Sequence, residues 1–356
     1  MDLKEIVLKE EDLKIRPDWG SIFKRKAPIF LEIGIGNGEF ITWLAQNNPE
    51  SNFIGIEYSK KYFKKAANRI LRNKLRNVRL ICIEGSKFLS KFLDSESLSG
   101  VYINFPDPWV KKKHKKRRLI SKPFVWLLAE RLTLNGFFLM VTDYEEYAKE
   151  VIGLFLKCPA FLPLWDSPIK NSLPNYYYTK YARKWLSQGL SLFYVGFKKI
   201  KKVEIPEWVY KLYPLTKLSK EEFLPENILE IDEKIDFFDL SKNLPKGVIW
   251  KGENEVIKII DIYFKEDGIL IDTLVIEGLL KQRFFVAVNC YHKKGVIISI
   301  HDSDKPDITE GVHKAIIIIT LKIHKIFKKA RIIKSTCKVK VFKKVEEVLG
   351  ESLILA

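Results

Sequence analysis

Between Ile29 and about Lys199 two kinds of apolar pattern alternate along the chain. Short β-rich runs at Ile29–Ile33, Phe53–Ile56, Val78–Ile83, Val101–Asn104 and Gly136–Thr142 are apolar without alternation, the signature of strands buried on both faces. Stretches of helical periodicity separate them, at Glu39–Gln46, Ser59–Leu75, Ser86–Leu93, Lys122–Leu132 and Tyr144–Leu156. Strands of this kind joined by amphipathic helices predict an α/β domain over residues 1–202, its mostly parallel sheet covered by helices on both faces. Leu192–Phe197 is expected to close that sheet as a late strand.

After Lys202 the texture changes. Residues 203–250 hold Pro206, Pro214, Pro225 and Pro245 among scattered aromatics, and read as a linker with short helices. Four strands are expected next, at Val256–Phe264, Ile269–Ile276, Arg283–Asn289 and Val296–Ile300, with turn signals at Asp267-Gly268 and Lys294-Gly295. A helix over Ile308–Lys328 and a strand-like Arg331–Val341 complete residues 251–356, a smaller α+β domain with an antiparallel sheet. No internal repeat and no low-complexity tract interrupts either part.

Charge adds a partner to this picture. The net charge is +18, and it is uneven: residues 1–200 carry 35 Lys and Arg against 20 Asp and Glu, whereas residues 201–356 carry 27 against 24. A polyanion that meets mainly the first half fits that distribution, because each phosphate contact releases counterions. Cys82, Cys158, Cys290 and Cys337 lie too far apart for a disulfide framework or a zinc site. A reducing cytosol is the expected compartment, since the N-terminus is acidic and amphipathic with no apolar leader segment. The longest aliphatic run, Ala315–Ile319, cannot span a bilayer. Two Met and three Gln among abundant Lys, Glu and Ile lean towards a thermophilic source. The sequence does not decide the oligomeric state, and a monomer is favoured.

The first strand runs directly into Glu32-Ile33-Gly34-Ile35-Gly36-Asn37-Gly38 and then a helix. Glycines at such a turn let a ligand approach the backbone, and the helix N-terminus offers N–H donors. Glu57, nineteen residues past Gly38 at the end of the second strand, is placed to accept from ribose hydroxyls. A dinucleotide and S-adenosylmethionine both fit so far. The GxGxG spacing and Glu32 two positions before the first glycine favour the second. A carboxylate there suits the ammonium of a methionine moiety and would repel a pyrophosphate. Glu84, at the end of the third strand, can read an adenine amino group. The bland alternative, a tight turn, accounts for one glycine pair but not for three glycines with acids ending three successive strands.

Asn104-Phe105-Pro106-Asp107-Pro108-Trp109 follows the fourth strand, and Lys111-Lys112-Lys113-His114-Lys115-Lys116-Arg117-Arg118 follows it. One acid held between two prolines beside an aromatic ring suits a planar hydrogen-bonding group, and the cations suit phosphates; a nucleobase within a strand satisfies both. Each piece has a structural alternative. The Pro-Asp-Pro loop can be a rigid turn, the basic run a solvated segment, Asp143 a helix cap and Trp109 a core residue. His114, flanked by cations, suits phosphate or backbone contact better than a metal. His292, His301, His313 and His324 match no metal motif, so none is expected.

Together with Leu31-Glu32-Ile33, Gly55-Ile56-Glu57, Thr142-Asp143-Tyr144 and Thr179-Lys180-Tyr181, these motifs resemble the bacterial tRNA (guanine-N7)-methyltransferases over residues 28–198. That resemblance implies a Rossmann-like class I methyltransferase domain, S-adenosylmethionine as cofactor, and tRNA as partner, methylated at a guanosine of its variable loop. By matching position, Glu32, Glu57 and Glu84 with Gly34, Gly36 and Gly38 would hold the cofactor, and Asp107 would be the catalytic acid. Lys111, Asp143, Thr179 and Lys180 would contact the substrate, and Lys112, Lys113, His114, Lys115, Lys116, Arg117 and Arg118, by their charge, would bind the RNA through its phosphates. The family's last motif reads Thr-x-Phe-Glu, and here the glutamate position is Ala182, which cannot inherit its role. Two other readings stand beside this one: a different base methyltransferase, since the Asn104–Trp109 run distantly resembles the Asn-Pro-Pro-Tyr loops of exocyclic-amine methylases, and a non-catalytic RNA-binding protein.

Overall fold

Strands that are apolar at every position need cover on both faces, and Asn52–Ile56 and Val78–Ile81 are buried at each residue. The computed structural model describes residues 2–219, 223–292 and 295–350, and the chain divides between Val209 and Tyr210 into two units.

The first unit is built on nine strands: β1 (Val7–Leu8), β2 (Ile29–Ile33), β3 (Asn52–Ile56), β4 (Val78–Ile81), β5 (Leu98–Asn104), β6 (Leu132–Thr142), β7 (Phe161–Pro163), β8 (Ile169–Lys170) and β9 (Phe193–Lys199). Their order is β1-β4-β3-β2-β5-β6-β9-β7, with β8 also paired to β9. Strands β1 to β6 pair in parallel, and β9 runs antiparallel to β6. After β2 the chain builds outward through β3 and β4, then returns to the other side of β2 with β5. The carboxyl ends of β2 and β5 therefore flank the point where strand order reverses, the place where open α/β sheets bind ligands. The loops leaving those ends are the glycine turn and the Asp107 loop. β1 was not expected from the sequence, because two residues carry no periodicity; it adds to the edge of the sheet beside β4.

The second unit holds seven antiparallel strands in the order β11-β12-β13-β14-β15-β10-β16. They are β10 (Glu226–Glu230), β11 (Gly247–Lys251), β12 (Glu255–Lys265), β13 (Gly268–Glu277), β14 (Leu280–Cys290), β15 (Gly295–Ile300) and β16 (Arg331–Ser335). The helix Glu310–Ile326 contributes Val312, Ala315 to Ile319, Leu321 and Ile323 to the core beneath the sheet.

Two expectations are corrected here. Residues 203–250 do not form only a linker with short helices, since β10 and β11 are strands of the second sheet. The Leu279 N–H also donates to the Leu212 carbonyl at 3.0 Å, and Tyr213, Leu215 and Leu218 are buried. β10 was illegible because three of its five residues are polar. One of them, Asn227, is fully buried and donates to Thr320 Oγ1 at 2.9 Å, a partner 93 positions away. Arg331–Val341 is strand only to Ser335, after which Val339–Leu349 is helical and buries Val341, Phe342 and Val345 at helical spacing. Its β-branched composition masked that period. Of the Lys294-Gly295 turn signal, Lys294 lies outside the described residues.

Gly278, in the turn from β13 to β14, has φ +57°, and a Cβ there would lie 2.4 Å from the Lys211 carbonyl oxygen. Gly278→Ala is expected to destabilise the second unit by about 2 kcal/mol or more, combining left-handed strain with a backbone clash. Chemical denaturation monitored through Trp250 fluorescence checks this; an unchanged midpoint would refute the packing of residues 211–212 on this turn.

Candidate active site

The glycine turn has φ values of +79° at Gly34, +53° at Gly36 and +77° at Gly38, a region that glycine enters without strain. The three do different work. A Cβ at Gly34 or Gly36 would meet nothing within 4 Å, so both leave open space beyond the sheet. A Cβ at Gly38 would lie 2.9 Å from that of Ala66, so Gly38 seats the helix Glu39–Asn47 against the helix Lys60–Arg72. Glu57, just past the end of β3, accepts from the Gly36 N–H at 2.9 Å and the Ser59 N–H at 2.8 Å, fixing the turn. Glu84 caps the helix Gly85–Phe92, accepting from Ser86 N at 2.9 Å and Lys87 N at 2.8 Å. Each of these carboxylate oxygens retains a lone pair for a further donor.

Glu32 lies inside the sheet at 3 % exposure. Its Oε1 accepts from Asn104 Nδ2 at 3.2 Å, and its Oε2 is buried with no partner among the described residues. Asn104 in turn accepts from the Tyr176 hydroxyl at 2.8 Å through Oδ1, which fixes which end of the amide faces Glu32. A buried carboxylate oxygen without a partner, next to two glycines that leave space open, fits a cationic ligand with a flat polar remainder, and so fits S-adenosylmethionine.

The Asp107 loop begins where β5 ends at Asn104. Phe105 has φ +52° and Trp109 φ +38°, so the Pro106-Asp107-Pro108 segment hangs between two bulky residues in the left-handed region. Such strain persists only where surroundings enforce it. Here Phe105 N–H donates to the Val141 carbonyl at 2.8 Å, and Arg118 Nε donates to the Pro108 carbonyl at 2.7 Å. Arg118 also pairs with Glu150 and lies over the Tyr147 ring at 4.6 Å. At 6 % exposure it cannot reach RNA, so the expectation that Arg118 contacts the backbone is corrected: its guanidinium braces the loop from beneath.

Asp107 itself is exposed, and no hydrogen bond to its carboxylate occurs among the described residues. Tyr181 stands nearby, its centroid 6.3 Å from that of Phe105. The neighbouring Tyr62, first through charge repulsion and then through a hydrogen bond, raises the Tyr181 pKa, and the Asp107 charge adds to the effect. Both tyrosines are exposed, at 40 % for Tyr62 and 56 % for Tyr181. The structure thus brings three rings to the Asp107 loop, of which the sequence reading assigned a role to none. Trp109, expected as a stacking surface, is half-buried, with Arg117 at 5.1 Å over its ring and His114 at 5.8 Å.

Lys112–Arg117 form a 3₁₀ helix in which Lys112, Lys113, Lys115, Lys116 and Arg117 are exposed and His114 is half-buried; Lys111, also exposed, caps it. Asp143 follows the end of β6 and does not cap the next helix, whose N-cap is Tyr144 without a side-chain bond. The Thr179 hydroxyl accepts from Ala182 N at 3.2 Å as the cap of the helix Lys180–Ser187. The Lys180 N–H donates to Glu39 Oε2 at 2.9 Å, which joins that helix to the helix after the glycine turn. Burial works to raise the Glu39 pKa, but bonds from Asn37 and Lys180 and the charges of Arg183 and Arg69 outweigh it and hold the carboxyl below its usual range. Ala182 is 3 % exposed among Val141, Leu192 and Tyr194. A glutamate there would be desolvated in an apolar cluster.

Burial pushes the Glu32 carboxyl up to about 8 from an ordinary 4.5, the Asn104 bond offsetting only part of the desolvation. In the unfolded chain Glu32 ionises near 4.5, whereas in the fold it keeps its proton until about 8. Stability therefore falls as pH rises through that window. Glu32→Gln is expected to flatten this decline, by on the order of 3 kcal/mol between pH 5 and pH 8. Unfolding free energies of both proteins at the two pH values check it; parallel pH slopes would refute a buried, protonated Glu32.

Comparison with known proteins matches this geometry. Residues 26–195 match the family model described as "Putative methyltransferase". A tRNA (guanine-N(7)-)-methyltransferase of Thermotoga maritima is 31 % identical over 306 residues, covering 85 % of this chain and 92 % of its own. One from Coprothermobacter proteolyticus is 29 % identical over 312 residues, covering 86 % and 89 %. One from Syntrophotalea carbinolica is 36 % identical over 192 residues, 54 % of this chain and 83 % of its own. The first two matches are longer than the first unit, so the likeness reaches into the second, beyond the 28–198 range legible from motifs. With the Asp107 loop and the glycine turn set side by side at the switch point, and a relative alike over nearly its full length, the chain belongs to the tRNA (guanine-N(7)-)-methyltransferase family.

Proposed function

We propose that this protein transfers a methyl group from S-adenosylmethionine to N7 of a guanosine in the variable loop of tRNA, with Asp107 as the catalytic acid. The observation that carries the reading is the Asn104 bridge. It ties the Glu32 carboxylate, whose Oε2 has no partner among the described residues and suits a cationic cofactor, to the residue from which the Asp107 loop departs.

Bound S-adenosylmethionine supplies a sulfonium methyl group as electrophile. Glu32 would hold the ammonium of the methionine part as a carboxylate, its proton passing to solvent. Gly34 and Gly36 leave the backbone open to the ligand, Glu57 accepts from the ribose hydroxyls, and Glu84 accepts from the adenine amino group through its free lone pairs. Guanine N7 carries an in-plane lone pair and no proton, so no general base is required. Attack by N7 on that methyl group would leave the purine cationic. Asp107 accepts from the guanine N1–H and amino group and stabilises that charge, the term that preorganised electrostatics contributes most. Tyr62, Tyr181 and Phe105 provide faces on which an extruded base can stack, and extrusion costs a few kcal/mol. Lys111, Asp143, Thr179 and Lys180 border the base, and the 3₁₀ helix Lys112–Arg117 takes the phosphates.

Labelled methyl transfer to unmodified tRNA, followed by nucleoside analysis, tests the reaction; 7-methylguanosine in the variable loop is expected, and a different methylated nucleoside would overturn the substrate. Asp107→Ala should lower kcat by about 10²- to 10³-fold while leaving cofactor binding unchanged. Near-native turnover would remove Asp107 from the chemistry. Arg118→Ala is expected to reduce kcat/KM by roughly tenfold or more, through a loosened loop, without altering the salt dependence of tRNA binding. A reduced salt slope would return Arg118 to the RNA-contacting set.

A further inference from the structure

The small net charge of the second unit conceals a segregation. From Gly311 to Val345 there are 11 Lys and Arg and not one Asp or Glu, while the rest of residues 210–356 carries 14 Lys and Arg against 22 Asp and Glu. Thirty-five residues without an acid span three consecutive elements: the helix Glu310–Ile326, the strand β16 and the helix Val339–Leu349.

Most cations of that stretch are exposed, from the end of the long helix through β16 to the last helix. Lys314 is the exception, buried and paired with Glu255 at 2.7 Å. Lys325, Lys328 and Lys329 are exposed where the long helix ends and turns. Arg331 and Lys334 are exposed on β16, the terminal strand of the sheet, with Lys334 paired to Glu226 at 3.2 Å. Lys338, Lys340, Lys343 and Lys344 are exposed at and beyond the start of the last helix. The Lys338 N–H donates to His313 Nδ1 at 3.3 Å, bringing this end back to the first turn of the long helix. Exposed cations thus follow the sheet edge along β16, about 17 Å at the strand rise.

Like charges so gathered repel one another, and a fold with 22 acids elsewhere in the unit could have interleaved them. Their concentration calls for a polyanion. The last helix turns Val341, Phe342 and Val345 into the unit, and the apolar residues left exposed along this stretch, Ile326, Ile333, Val339 and Val348, are scattered among lysines rather than gathered into the amphipathic stripe that a lipid surface takes. An extended phosphate backbone fits a row of lysines along a strand edge, and the acidic remainder of the unit would repel it from other faces.

We propose that this lysine-rich surface is a second backbone dock for the tRNA substrate, adding phosphate contacts to those of the 3₁₀ helix Lys112–Arg117. The inference rests on the tRNA reading above. In the full-length protein, Lys328, Lys329, Lys340, Lys343 and Lys344 are replaced together by Ala, and in a second variant by Arg. Binding of an unmodified tRNA transcript is measured across salt concentrations, with steady-state methylation and thermal melting alongside.

For the Ala variant the expected results are a rise of about tenfold or more in Kd and KM at physiological salt, and a salt slope lower by about 3 to 4. The loss should fall on KM rather than kcat, the melting temperature should hold, and the Arg variant should bind as the wild type does. An unchanged slope in the Ala variant overturns the proposal. So does wild-type capture on phosphatidylserine vesicles that the Ala variant loses while its tRNA slope is unchanged, which would make the face a membrane contact. Should the wild type methylate no tRNA, the reaction assigned above fails, and the salt slopes still decide whether this face binds RNA.

Discussion

A carboxylate buried in the middle of a parallel sheet is the constraint on which the site is built. Glu32 sits at the reversal of strand order, almost without solvent, and one of its oxygens has no partner among the described residues. Leaving a buried acceptor unsatisfied costs about 1–3 kcal/mol, so the unit carries this deficit until a cation arrives. The other oxygen is held by Asn104, and Asn104 by Tyr176. Three segments far apart in the chain therefore converge on one carboxyl group. Desolvation keeps that group protonated near neutrality, while a cation beside it favours the charged form.

The same bridge links cofactor and base chemistry. Asn104 ends β5, and its neighbour Phe105 opens the strained turn that carries Asp107. With Phe105 tied to Val141 and Pro108 tied to Arg118, both shoulders of the turn are fixed and its tip is left exposed. A rigid, solvent-facing acid suits a task that is electrostatic rather than basic, because guanine N7 has no proton to lose. Glu39 provides a further brace: it receives the backbone of Lys180 and lies beside Arg69 and Arg183, so the helix bearing Tyr181 is anchored to the glycine turn. Where the family has a glutamate, Ala182 instead belongs to an apolar cluster with Tyr194, and the polar contacts of this region come from Tyr62 and Tyr181.

The second unit follows a different logic. Its sheet is antiparallel, and its long helix is buried nearly all round by strands and by the helix Val339–Leu349. Two polar pairs lie inside it, Asn227 with Thr320 and Lys314 with Glu255, while Asn289 Oδ1 and His313 Nε2 are buried with no partner among the described residues. The cations on its outer edge belong to a stretch of chain, Gly311 to Val345, that carries no acid. A stable core and a one-signed edge are separate features, and only the first serves folding.

The linear sequence alone sets the alternation of strand and helix through the first unit, because hydrophobic period is a local property. It also identified the glycine turn, the acids at strand ends and the Asp107 loop, since these are contiguous motifs whose chemistry is written in residue type. Tertiary structure decided what contiguity cannot encode. That Gly38 packs on Ala66 while Gly34 and Gly36 leave space, that Arg118 faces inward while Lys112 to Arg117 face outward, and that Tyr176 reaches Glu32 through Asn104 all depend on which elements become neighbours. So does the placing of β10 between β15 and β16, where polar residues are buried against partners many positions away. Local period reports which side of an element is apolar, but the partner of a buried polar group is chosen only when the sheet closes around it.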